Sequence, residues 1–157
     1  MKTLRLRKGF RLIELLVVIG ILAVLLAITL IAINPQRQFA QSNNTKRSSD
    51  VNAILNAINQ YMAENRGLLP GGIDTTVRTI TNDTSITNRI DLCASLTPLY
   101  IAALPVDPQT GNGQAVTDCT TTYNTGYTVV SPAGNRITVS APGTQIPPAS
   151  TVITVTR

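Results

Sequence analysis

The chain has 157 residues, of which 43% are hydrophobic and 13% charged. That charged share is about half the usual ~25% of a soluble globular chain. Histidine is absent, which excludes a Ser-His-Asp triad, a Cys-His pair and any zinc site with an imidazole ligand.

The net charge of +5 is unevenly spread. Residues 1–33 hold Lys2, Arg5, Arg7, Lys8 and Arg11 against Glu14, a net +4. Residues 34–66 hold Arg37, Lys46, Arg47 and Arg66 against Asp50 and Glu64, a net +2. Residues 67–157 hold Arg78, Arg89, Arg136 and Arg157 against Asp74, Asp83, Asp91, Asp107 and Asp118, a net −1. The C-terminal body therefore lacks the basic patch that phosphate neutralisation needs, and no nucleic-acid partner is expected.

Residues 15–33 form a run of 19 without a charge. At ~1.5 Å per residue a helix of this length nearly crosses a hydrocarbon core ~30 Å thick. A secretory signal peptide has an apolar region of only ~7–15 residues followed by a small-residue cleavage site. This run is longer and passes into Asn34, Pro35, Gln36 and Arg37 with no such site. A membrane-spanning helix fits better. Five cations in the first 11 residues place the N-terminus in the cytoplasm by the positive-inside rule, so residues 34 onward are expected to be exported. Glu14 sits at the start of the run, directly before Leu15. Either it snorkels to the headgroups or it awaits a cationic partner.

The consecutive residues Lys8, Gly9, Phe10, Arg11, Leu12, Ile13 and Glu14, followed by the apolar run, resemble the processing motif of type IV prepilins. Arg11 stands where that family usually has threonine. The resemblance implies a basic leader, residues 1–9, removed by a prepilin peptidase between Gly9 and Phe10. It implies N-methylation of Phe10. It also implies a charge pair between the new Phe10 amine of one subunit and Glu14 of its neighbour. The implied partners are copies of the same chain in a helical homopolymer, the prepilin peptidase and the pilus assembly machinery, with the membrane as host before assembly. The implied function is a structural subunit of an extracellular filament, serving attachment and possible motility. Residues 100–108, which contain Leu104, Pro105, Val106, Asp107 and Pro108, resemble a segment shared by some pilins and the major pseudopilins of type II secretion. A pseudopilin is therefore the alternative within the family. A membrane-anchored binding or enzymatic domain is the alternative from another class, but no catalytic signature is present.

The helix is expected to continue past the membrane as an amphipathic segment, residues 34–66. Val51, Ile54, Leu55, Ile58, Tyr61 and Met62 form one apolar stripe at helical period, suited to pack on a sheet. Gly67 is a plausible stop. The whole helix would span residues 10–65, roughly 80 Å. Residues 41–50 are polar throughout and read as a solvated helical stretch. Pro35 removes a backbone donor and should bend the helix. Gly20 and Pro35 bracket a region expected to kink or loosen when subunits pack.

After Gly67 the composition shifts towards Thr, Pro and Gly, and residues 67–157 read as an exported loop and β-sheet domain. Strands are expected over 76–80, 127–130, 136–140 and 151–156, a short helix over 91–96, and a turn at 131–135. The fold class is α+β: a long N-terminal helix packed on a small antiparallel sheet.

Cys93 and Cys119 are the chain's two cysteines. Outside the cytoplasm such a pair tends to oxidise, and closing that loop contributes about 3.5 kcal/mol on chain-entropy grounds. Two buried thiols are the alternative. No CxxC is present, so neither redox catalysis nor a metal site is expected, and no cofactor is implied. Sequons at Asn43 and Asn82 are weak signals. Some pseudopilins bind calcium, and the resemblance would make Asp107 and Asp118 the ligands here, but Asp107 before Pro108 reads more simply as a turn.

Overall fold

The computed structural model describes residues 10–111, 113–132, 136–145 and 151–157. The expected leader with Gly9, and residues 133–135 of the expected turn, lie outside them. The chain divides into two compact units, Met1–Gln38 and Phe39–Arg157.

The first unit is dominated by helix α1, Leu12–Ile33. Its side chains are apolar all round, and none is buried by the chain itself. It is the one helix, among the described residues, long and apolar enough to cross a membrane. The helix runs through Gly20 without interruption. It ends at Asn34, whose backbone is left-handed (φ 46°, ψ 79°). Asparagine tolerates that conformation, and the following Pro35 disfavours the right-handed one at the residue before it. The expected single bent helix is thus two helices. Pro35 opens helix α2, Pro35–Glu64, at the position where a missing N–H costs nothing.

The second unit is α+β. Val51, Ile54, Leu55 and Ile58 of α2 are buried in one apolar cluster, with Tyr61 and Met62 packed at its margin. The stripe read from the sequence is therefore the helix face that meets the core. The helix stops in a 6→1 arrangement in which the Gly67 N–H donates to the Met62 carbonyl at 2.8 Å. The residues with positive φ are Arg66 (56°) and Gly67 (83°).

Five strands follow: β1 (Arg78–Thr81), β2 (Arg89–Ile90), β3 (Asn124–Val130), β4 (Thr138–Ala141) and β5 (Ile153–Thr156). Their order is β2-β1-β3-β4-β5. β3, β4 and β5 pair antiparallel, as β1 does with β3. β1 and β2 pair parallel, Thr79 with Arg89 and Ile80 with Ile90. The sheet is mixed rather than wholly antiparallel. Residues 82–88 double back through a turn in which the Asp83 carboxylate accepts the Ser85 N–H at 2.9 Å. Asn82 pins that turn to the Thr121 carbonyl at 2.8 Å. The chain therefore re-enters beside β1 in the same direction, and β2 is only two residues long.

β3 alternates strictly, with Thr125, Tyr127 and Val129 inward. Tyr127 and Val129, with Ile80, Val139 and Ala141, form the sheet side of the cluster that α2 covers. β3 begins three residues before the expected start because Asn124, Thr125 and Gly126 carry no strand signal, and Gly126 is left-handed (φ 74°). Helix α3, Cys93–Leu96, is a single turn.

Candidate functional site

Glu14 stands in the first turn of α1. Its carboxylate accepts the Arg11 backbone N–H at 3.4 Å, while the Arg11 carbonyl accepts the Glu14 N–H at 3.0 Å. An acid there also complements the helix dipole, worth about 0.3–1 kcal/mol. Phe10 and Glu14 lie close to one helical turn apart in sequence, and Phe10 is exposed. The α1 surface is thus apolar apart from the Thr29 hydroxyl, which donates to the Leu26 carbonyl at 2.9 Å, with one carboxylate at its N-terminal end.

The second arrangement lies in the globular unit. Arg47 is fully buried, and Asp107 is 3% exposed. The guanidinium meets the carboxylate bidentately, Nε to Oδ2 at 2.6 Å and Nη2 to Oδ1 at 2.9 Å. Nη1 donates to Asn44 Oδ1 at 2.9 Å, and Nη2 also donates to Gln109 Oε1 at 3.1 Å. The Gln109 N–H donates to Asp107 Oδ1 at 2.8 Å, and the Asp107 N–H to the Thr125 carbonyl at 2.8 Å. Every hydrogen-bonding direction of the pair that matters is filled, as a buried ion pair requires.

Burial pushes the Asp107 carboxyl up, but the Arg47 hydrogen bonds, the Gln109 amide and the charges of Arg47 and Lys46 outweigh it. The net effect holds it below the usual carboxylate range. Asp50, one turn along α2, goes the other way. Burial raises its pKa, and the Asp107 charge adds to that, against the Tyr127 hydrogen bond and Lys46. The Tyr127 hydroxyl donates to Asp50 at 2.7 Å.

The stretch 41–50 is helical and largely exposed, as expected, but Arg47 within it is fully buried and Asn43, Asn44 and Asp50 are partly so. The overlooked signal is periodic: Arg47, Val51, Ile54 and Ile58 fall at i, i+4, i+7 and i+11, so Arg47 continues the buried stripe. Asp107 is also more than a turn former, since it is Arg47's counter-charge.

Cys93 and Cys119 form a disulfide. It closes a loop that carries Asp107 and contains the Leu104–Val116 bridge. Asp107 is committed to Arg47, and Asp118 accepts from the Thr120 N–H at 2.9 Å and hydroxyl at 2.6 Å. Among the described residues no three His, Cys, Asp or Glu side chains converge. The side-chain amide of Asn43 donates to Gln145 at 2.8 Å, and that of Asn82 to Thr121. A cleft of about 340 Å³ beside Thr117, Asp118 and Asn124 is polar and open.

In comparisons with known proteins, the chain matches no family model, no curated protein and no solved structure.

Proposed function

We propose that the chain is a structural subunit of a type IV pilus-like extracellular filament, stored in the cytoplasmic membrane and cut between Gly9 and Phe10. The observation that carries this reading is α1. Its 22 helical residues present an apolar surface, none of it buried, and follow a basic segment that ends in Gly9 and Phe10, with the acid Glu14 in the first helical turn. Such a surface needs lipid, and after lipid it needs other helices of the same kind. In a bundle of such helices Glu14 leaves water, and an unpaired buried charge is very costly. An ammonium on Phe10 of a neighbouring subunit at the correct axial height removes that cost. Glu14 then acts as a register gauge that penalises misplaced subunits. A sheet domain with a disulfide fits an oxidising exterior.

Glu14→Val tests this reading. The variant should insert into the membrane as the wild type does and yield few or no filaments. Normal filament yield would overturn the register role.

Residues 100–108 support a second reading, a pseudopilin that forms a short periplasmic fibre. Shearing separates the two, because long fibres leave the cell with the medium and pseudopili stay with it.

A further inference from the structure

Helix α2 is attached to the rest of the globular unit in two chemically different ways. From Val51 to Ile58 the attachment is apolar burial, with Val51, Ile54, Leu55 and Ile58 fully enclosed. Before Val51 it is polar. Asn43 bonds Gln145, Asn44 accepts the Gln145 N–H at 3.3 Å, Lys46 donates to the Gly113 carbonyl at 3.2 Å, Arg47 holds Asp107, and Asp50 holds Tyr127. Pro35 to Phe39 are exposed throughout, including Phe39.

We propose that the Arg47–Asp107 pair is a clamp that sets where α2 separates from the body of the unit, so that residues 39–50 open as a segment of their own while residues 51–64 stay packed. The physical ground is the difference between the two attachments. Apolar contacts are non-directional and survive small displacements. A bidentate ion pair holds at one geometry, and its loss leaves a buried guanidinium that must move to water. Because Arg47 projects from the helix, its escape carries the surrounding turns with it. Local openings of this kind are the general behaviour of segments with few buried apolar contacts.

Two glycines fit the clamp closely. A Cβ on Gly143 would stand 2.9 Å from Asp107 Oδ2 and 3.1 Å from Arg47 Nη2. A Cβ on Gly126 would stand 3.0 Å from Asp107 Cβ. Gly143 is itself exposed, so it forms a thin lid over the pair. The proposal concerns the folded subunit and does not depend on the chain forming a filament.

Hydrogen–deuterium exchange of the full chain in detergent micelles tests it, comparing wild type, Asp107→Asn and Gly143→Ala. In Asp107→Asn the amides of residues 44–50 should exchange about 100-fold faster, reflecting loss of the counter-charge. The amides of β3 and β4, which exchange only when the whole unit unfolds, should stay protected well beyond those of 44–50 in the same variant. Gly143→Ala should accelerate the same amides without removing a charge, and it carries the test if Asp107→Asn fails to fold. Wild-type exchange at 44–50 in both variants would overturn the clamp. So would an opening free energy at 44–50 equal to that of β3 and β4 in both variants, since that is loss of the whole unit rather than opening at Arg47.

Discussion

Arg47 and Asp107 lie 60 residues apart in sequence and meet through two hydrogen bonds inside the globular unit. One group comes from a helix and the other from a disulfide-closed loop, so a single pair ties those two parts of the fold together. Breaking a buried pair from one side is far more costly than replacing both partners. Asp107→Asn should therefore destabilise the unit by about 3–5 kcal/mol, whereas Arg47→Met with Asp107→Leu should cost much less or nothing. Urea unfolding monitored by tyrosine fluorescence measures both. Equal losses in the two variants would show that the charge pairing is not the source of the stability.

The pH dependence has two opposed parts. Asp107 is held below the ordinary value of 3.8. Its contribution is present above that value and is lost as pH falls through the lower, folded one. Asp50 is raised above 3.8, so its ionised form is disfavoured in the folded unit, and acidification relieves that penalty. Stability should hold level or rise slightly as pH falls towards about 4, then drop below it. Asp50→Asn should remove the early gain and leave the drop. Unfolding midpoints at stepped pH are the check, and a steady decline from neutrality in wild type would contradict the assignment.

The Cys93–Cys119 disulfide closes the loop that presents Asp107. Its reduction should lower unit stability by about 3.5 kcal/mol on chain-entropy grounds. It should also raise amide exchange at Leu104, Val116 and Asp107 ahead of β4. Exchange measured with and without reductant tests this, and uniform acceleration of the whole unit would contradict it.

Arg66 occupies the left-handed position that ends α2, with φ of 56°. A residue with a Cβ is disfavoured there, and Arg66 is exposed. Arg66→Gly should stabilise the unit by about 0.5–1 kcal/mol. A lower urea midpoint would show that the arginine side chain contributes more than its backbone costs.

What the sequence shows of this fold follows interaction range. The apolar run of α1 and the stripe from Val51 to Met62 are local patterns, and both elements are where periodicity puts them. β4 and β5 announce themselves through β-branched residues, and the cysteine pair through its count. The parallel β1–β2 pairing is not legible, because it depends on a loop tied by Asn82 to Thr121 and on no local propensity. The partner of Arg47 is equally hidden. Asp107 next to Pro108 has the composition of a turn, and only the fold brings it to the helix. Arg47's place on the stripe was visible, but a charged residue in a polar stretch is ordinarily solvated. The break at Asn34 is a finer case. Pro35 signals a disturbance, but whether a helix bends or stops depends on the residue before it.

Processing at Gly9–Phe10 and assembly into a surface filament are the core of the proposed function. The most direct measurement is the mass of this protein's N-terminal peptide in material sheared from cells. A peptide beginning at N-methylated Phe10, recovered with extracellular filaments, is the expected result. A chain that still carries residues 1–9, under conditions in which other prepilins are cut, would contradict it and leave a plain membrane-anchored domain.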